Sequence, residues 1–194
     1  MSSWVSSLVE ERRSQKGLVD VFGLILFTDE HPNIKKVLRD DDYWSSLHEI
    51  SGKKWAIFSI KPKKGSIGFP EIRPGQMGLM VPVWKEPKEN KELLSEFGIQ
   101  STEQLPLFVA FTHIDGKIVK SELQLSDSSI DDAYCSIKKS VAIITEAINN
   151  ILPENEKNPA GTHAAVALAI DDFKKWSSLR KGVDFYVWIK GLMP

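Results

Sequence analysis

The apolar positions along the chain follow two periods, and each period indicates a different kind of element. Continuous apolar runs at residues 21–28 and 55–60 are typical of strands that are buried on both faces of a sheet. Between them, residues 32–51 carry apolar side chains at helical spacing, with Pro32 suited to the first turn and Gly52 to the end. The pattern therefore predicts a strand–helix–strand unit, which favours parallel pairing of its two strands.

The second half of the chain carries a hairpin signal. Asp115 and Gly116 lie between two β-prone segments, residues 107–112 and 117–125, and this arrangement predicts an antiparallel hairpin. Added to the strand–helix–strand unit, the hairpin gives an α/β protein with a mixed sheet. The other elements that the pattern predicts are helices at residues 3–16 and 90–97, a long helix from a cap at Asp127 or Ser128 to about residue 152, a helix capped by Thr162 that runs to about residue 178, and a last strand at residues 183–189.

Residues 61–88 interrupt this alternation of strands and helices. Five prolines and four glycines exclude a helix and a central strand there. The segment is too apolar for a flexible linker, so we expect an ordered insertion with a short edge strand at residues 79–84. It would either present a partner surface, because monomers seldom expose large apolar patches, or fold back over the core as a lid. The candidate residues for a partner surface are Phe69, Met77, Leu79, Met80 and Trp84.

Length and composition fit one domain. The chain has 194 residues, of which 42% are apolar and 26% charged, and its net charge is −1. These values are typical of a globular protein and favour neither a nucleic-acid nor a membrane surface. We expect one domain at residues 1–152, with residues 153–194 packed on it as a helix-plus-strand extension. The chain begins without the apolar segment of a signal peptide, so we predict a cytoplasmic protein.

The residues that could carry chemistry are few. Cys135 is the only cysteine, which excludes dithiol redox chemistry within the chain, and its helical position predicts a buried side chain rather than an exposed, modifiable thiol. No histidine lies at ligand spacing from another histidine, a cysteine or an acid, so we predict no metal site and no cofactor. His48 is expected to pack on the apolar face of its helix. Asp40, Asp41 and Asp42 are expected on a solvated helix face.

One motif in the second half resembles a known family. The chain reads Phe97-Gly98-Ile99, then Pro106 at the start of a strand with Phe111 five residues later, then the Asp115-Gly116 turn. This series resembles the second half of a thioredoxin. The resemblance covers about residues 18–152 and implies a thioredoxin-like mixed sheet flanked by helices, with a cis peptide bond before Pro106.

The same resemblance implies a site. The Cys-Gly-Pro-Cys motif of the family falls on Glu30-His31-Pro32-Asn33, so the proline is retained and both cysteines are absent. In the family, this loop and the cis-proline loop grip extended peptide or glutathione. The candidate groove here comprises Glu30, His31, Pro32, Asn33, Leu105 and Pro106.

Loss of the cysteines favours a redox-inactive, non-catalytic module that binds a protein partner as an adaptor. One alternative hypothesis is an enzyme or a glutathione-type ligand binder that uses Glu30 and His31. Another is a structural protein that forms a homodimer by pairing residues 183–189 as an edge strand. The plainest interpretation of the Glu30–Pro32 loop is helix capping by Thr28 or Asp29 with ordinary loop packing.

Overall fold

The computed structural model describes residues 9–11, 19–63, 66–68, 83–85 and 88–192 of the chain. Its strands are β1 (Phe22–Leu26), β2 (Ala56–Ile60), β3 (Ser66–Gly68), β4 (Val83–Lys85), β5 (Leu107–Ile114) and β6 (Lys117–Gln124). Its helices are α1 (Pro32–Arg39), α2 (Asp41–Ser51), α3 (Lys88–Glu96), α4 (Ile130–Asn149) and α5 (Pro159–Leu192), with short 3-10 helices at Thr102–Gln104 and Pro153–Asn155. Within the predicted N-terminal helix at residues 3–16, only residues 9–11 are described, and they are helical.

The main sheet is mixed and open, as the sequence predicts. Its strand order is β2-β1-β5-β6, with β1 parallel to β2, β5 antiparallel to β1, and β6 antiparallel to β5. Asp115 and Gly116 form the turn between β5 and β6, with φ angles of 49° and 77°. Positive φ at both central residues is what a two-residue hairpin turn needs, and this explains the residue types found there.

Both faces of the sheet are covered. All five residues of β1 are buried, in agreement with the continuous apolar run. Side chains alternate between two core clusters, so that Ile25 joins the cluster formed with α1, α2, α4 and α5, while Leu24 joins the cluster formed with Leu94 of α3. The α/β class and the buried strand predicted at residues 21–28 are therefore confirmed. The strand predicted at residues 55–60 is present, but the prediction that it is buried on both faces is wrong, because β2 lies at the edge of the sheet and its residues are half-buried or exposed.

The single helix predicted at residues 32–51 is wrong, because the chain breaks at Asp40. This residue is extended, with φ −88° and ψ 120°, and its carboxylate accepts hydrogen bonds from the N–H groups of Asp42 (3.1 Å) and Tyr43 (3.4 Å). Asp40 thus caps α2, and Asp41 and Asp42 lie in the first turn, where negative charge is favourable. Asp41 and Asp42 are exposed on this helix, as the sequence predicts, whereas Asp40 is its cap and lies outside it.

The strand predicted at residues 183–189 is also wrong, since this segment belongs to α5. Its β-branched and aromatic residues favour a strand locally, but propensity is a weak signal once a helix is established. Gly182 disfavours the helix by only about 1 kcal/mol relative to alanine, and no proline occurs between Pro159 and Pro194. The C-terminal extension therefore consists of a 3-10 turn and α5, and an edge strand at residues 183–189 is not available for self-association.

Two predicted caps are replaced by neighbouring residues. Ser129 caps α4, accepting from the N–H of Asp132 at 3.0 Å, in place of Asp127 or Ser128. Asn158 accepts from the N–H of Gly161 (3.2 Å) at the start of α5, whereas Thr162 is buried within the first turn.

Two side chains that the sequence predicts to be buried or packed in the interior are exposed in the structure. Cys135 is exposed, since the buried side of α4 is formed by neighbours such as Ala133 and Ile137. His48 is exposed too, because α2 starts afresh at Asp41 and its faces do not continue those of α1. In the described residues, no helix has the length and apolar character that a membrane span requires.

Candidate functional site

The loop between β1 and α1 is tied to the loop before β5 by His31. The backbone N–H of Thr28 donates to His31 Nδ1 at 3.0 Å, and the Thr28 hydroxyl lies 2.9 Å from the same nitrogen. On the other side of the ring, Nε2 lies 3.1 Å from the carbonyl oxygen of Leu105. The imidazole therefore bridges two loops that are 74 positions apart in the chain.

These bonds define the tautomer of His31. A backbone N–H can only donate, so Nδ1 must accept from Thr28 and carries no proton. The ring proton then resides on Nε2, which donates to the Leu105 carbonyl. Both nitrogens are engaged by the protein itself, and neither is directed at solvent as a base or a nucleophile.

The backbone of Leu105 is fully used as well. Its N–H donates to the carbonyl of Thr102 at 3.1 Å, and its own carbonyl accepts from His31. The Leu105–Pro106 peptide bond is cis, as the resemblance implies, and both residues are buried. An extended peptide that pairs with Leu105 would have to compete with these internal hydrogen bonds.

Asp127 bonds to the start of α1, and for this reason it does not cap α4. Its carboxylate accepts from the N–H of Ile34 at 2.7 Å, and its carbonyl accepts from the side-chain amide of Asn33 at 2.6 Å. Asn33 is thereby oriented toward the segment before α4. The polar groups at this helix N-terminus are satisfied within the protein.

Asp29, next to the predicted groove, connects α1 with the root of the insertion. Lys35 Nζ lies 2.8 Å from its carboxylate, and Lys61 Nζ lies 3.1 Å from the same oxygen. Hydrogen bonds from Lys35 and then Lys61 lower the pKa of Asp29 from 3.8 to about 2. The carboxylate is exposed, so this ion-pair cluster orients the loop and contributes little to stability.

The structure thus brings part of the predicted groove together. His31 contacts Leu105, while Glu30 and Pro32 are exposed beside this contact. A cavity of about 560 Å³ between α4 and α5 and another of about 410 Å³ beside β2 are lined by none of the groove residues, and a third of about 360 Å³ along α1 is lined by only one of them, Pro32. The predicted loops therefore meet as a bonded junction.

The predicted partner surface is mostly outside the described residues. Phe69, Met77, Leu79 and Met80 lie there, as do residues 79–82 of the predicted edge strand. Trp84 lies in β4, opposite Ile67 of β3. The two short strands form an antiparallel sheet of their own, apart from the main sheet, which agrees with an insertion that contributes no central strand.

Asn90, a residue that sequence reasoning missed, fixes the root of the insertion. Its side-chain amide donates to the carbonyl of Lys63 at 2.6 Å, and its amide oxygen accepts from the N–H of Lys63 at 2.7 Å. Asn90 is only 3% exposed. The signal in the sequence is a polar residue on the side of a short helix that faces the protein. A polar side chain at such a position is expected to be buried and hydrogen-bonded.

No group of three or more potential metal ligands occurs among the described residues. No protein-family model matches the chain, and neither a curated protein nor a solved structure matches it.

Proposed function

We propose that this chain is a non-catalytic, thioredoxin-like binding module whose insertion, residues 61–88, contacts a protein partner. The α/β sheet serves as a rigid base, and the apolar insertion is the contact surface. The junction of Glu30, His31, Pro32 and Asn33 with Leu105 and Pro106 has a supporting role, because its polar groups hold the loops in place.

The order and pairing of the elements support a thioredoxin-like arrangement. A parallel strand–helix–strand unit is followed by an antiparallel hairpin and a long helix, in the order that the resemblance implies. Fold similarity by itself carries no activity, so the functional argument rests on the residues of the junction and the insertion.

The bonding of His31 supports a non-catalytic role. A general base must be able to reach the proton that it removes from a substrate. The two nitrogens of His31 already contact Thr28 and Leu105, so the ring has no free nitrogen to act on a substrate.

The observation that carries the binding proposal is the clamp between Asn90 and Lys63. It closes the base of an apolar, proline-rich segment, so that the segment leaves the domain from a fixed point. Proline within the segment reduces the entropy that would be lost when it orders against a partner. A fixed root and a stiff, apolar sequence are what an interaction loop requires.

The test is affinity purification of the tagged full-length protein from its native cells, with quantification of co-purified proteins after a salt wash. We expect one stoichiometric partner to be retained by the wild type and lost by Phe69→Ala and Trp84→Ala. Trp176→Ala is the matched control, because Trp176 is 74% exposed on α5 and is not part of the insertion.

The outcome that contradicts the proposal is a preparation without a stoichiometric partner, or a partner retained equally by all variants. Glu30→Ala and Pro32→Ala provide the comparison with the junction. Loss of the partner in these two variants alone would mean that the partner binds the predicted groove and not the insertion.

A further inference from the structure

A cavity of about 410 Å³ opens between α2 and β2, on the side of the sheet that α4 covers. Its size falls within the range of about 300–1,000 Å³ that is typical of sites for small molecules. Its deep walls are apolar and buried, and they are formed by Ile25, Leu47, Trp55, Ile137 and Val141. The site does not involve the insertion or the junction of His31 with Leu105.

The outer wall of the cavity is an aromatic side chain at the surface. Trp44 of α2 lines the cavity and is 37% exposed. The buried indole of Trp55 also lines the cavity and is held by a hydrogen bond from its Nε1 to the hydroxyl of Thr145 at 3.1 Å. A ligand that fills the cavity would cover the apolar surface of Trp44 that is now partly exposed.

The opening of the cavity carries two side chains that can donate hydrogen bonds. His48 and Lys53 are exposed and line the cavity, and within the described residues neither side chain has a hydrogen-bond or ion-pair partner. Aspartate and glutamate are absent from the lining, all of which belongs to the described part of the chain. The opening thus presents a positive charge beside an apolar interior.

The C-terminal end of α2 lies at the same opening and has the opposite electrostatic effect. A helix C-terminus carries a partial charge of about −0.5. Part of this charge is offset, because the carbonyl of His48 accepts from both the Ser51 hydroxyl (2.9 Å) and the Gly52 N–H (3.2 Å). The full charge of Lys53 exceeds the remainder, so an anionic group is favoured over a cationic one.

We infer that this cavity binds a small amphipathic acid, with its apolar body against Trp44 and Trp55 and its carboxylate beside His48 and Lys53. The apolar interior selects the body of the ligand by burial. The donors at the opening select its head group by charge-assisted hydrogen bonds.

The test compares three probes that share one alkyl chain: decanoate, decanol and decylamine. Each is titrated into the isotope-labelled full-length protein below its aggregation concentration, and amide and indole shifts are followed by NMR. We expect decanoate to shift Leu47, Gly52 and the Trp55 indole, and decanol to bind about fivefold more weakly, as the loss of an exposed charge pair implies. Decylamine should bind the most weakly.

Two variants locate the site. Lys53→Gln should weaken decanoate binding about threefold and leave decanol unchanged, since one exposed charge pair is lost. Trp44→Ala should weaken both probes about tenfold, because it removes an apolar wall. The matched controls are Lys139→Gln and Trp176→Ala, which change exposed residues outside the cavity.

The inference is overturned if decanoate causes no shifts at the cavity, or if decylamine binds as tightly as decanoate. It is also overturned if the control variants weaken binding as much as Lys53→Gln and Trp44→Ala do. Circular dichroism of each variant establishes that the fold is retained, and both changed residues are exposed enough for this to be expected.

Discussion

The junction at His31 and the cavity beside β2 each contain a histidine, but the two histidines differ in how they are bonded. At the junction, His31 is held by Thr28 and Leu105. At the cavity, His48 and Lys53 have no partner within the described residues. The histidine at the site that the family resemblance predicts is therefore engaged within the protein, whereas a ligand could reach the donors at the cavity.

The two regions also differ in their glycine requirements. A Cβ atom on Gly23 would lie 2.7 Å from the ring of Trp55 and 2.9 Å from the ring of Phe108. The absence of a side chain at this position lets Trp55 lie across β1 and form the cavity wall. The cavity thus depends on close packing, and the junction depends on directed hydrogen bonds.

The largest expected effect is that of Gly23→Ala. The added methyl group should lower the free energy of unfolding by about 3 kcal/mol, because two packed aromatic rings must move. Chemical denaturation measures this change, and the Trp55 indole resonance should shift while that of the His31 ring stays in place. Gly161→Ala is the control, since its new Cβ would lie 3.2 Å from the side-chain amide of the exposed capping residue Asn158, which can move aside, and it should cost no more than about 1 kcal/mol. An equal loss in both variants would contradict the packing argument.

The direct comparison of the two regions is His31→Ala against His48→Ala. The first change leaves the Thr28 N–H and the Leu105 carbonyl without their partner and should cost about 2 kcal/mol of unfolding free energy. The second change removes an exposed, unbonded side chain and should cost less than about 0.5 kcal/mol. Urea denaturation of the two variants under the same conditions tests this difference. Similar costs would mean that His31 is not a structural bridge.

The variant Asp127→Ala tests whether the carboxylate of Asp127 stabilises the first turn of α1. Loss of the carboxylate that accepts from Ile34 should lower the unfolding free energy by about 1 kcal/mol, as for other helix caps. Hydrogen exchange should speed up in the first turn of α1, which makes the effect local. The control is Asp131→Ala in the first turn of α4, an exposed acid whose removal should cost only about 0.3 kcal/mol. Unchanged exchange at Ile34 would contradict the assignment.

The smallest effect concerns the pH dependence of the Asp29 cluster. The folded-state pKa of Asp29 is about 2, below its ordinary value of 3.8, so its ion pairs contribute fully above pH 3.8 and are lost as the pH falls toward 2. Carboxyl titration by NMR should show this low pKa in the wild type. Replacing both Lys35 and Lys61 with glutamine should return the pKa toward 3.8, whereas Lys36→Gln should leave it low. An unchanged pKa in the double variant would exclude the lysines as its cause.

The elements that could be predicted from the sequence depend on local periodicity. The apolar run of β1 and the Asp115-Gly116 turn each determine their structure within a few residues, and the structure agrees with both. The helical repeat that predicts α4 is equally local. These signals suffice for the α/β class and the mixed sheet.

The predictions that are wrong concern competition between neighbouring or distant groups. Asp40 ends one helix and begins another because its carboxylate binds two N–H groups, which a count of apolar spacing does not register. Asp127 is drawn away from α4 by Ile34, which lies 93 positions earlier in the chain. The cavity is lined by Trp44 of α2 and by Trp55 just before β2, and the sequence alone does not place these two residues at one cavity.

The clamp between Asn90 and Lys63 has a consequence for how the chain can vary. It joins two positions that are 27 residues apart, so the two ends of the segment between them are held together. The entropy of closing a loop grows only slowly with its length, and doubling the length costs about 0.6 kcal/mol. Evolution or an engineer could therefore lengthen, shorten or exchange the segment between Lys63 and Asn90 while the sheet beneath it keeps its register.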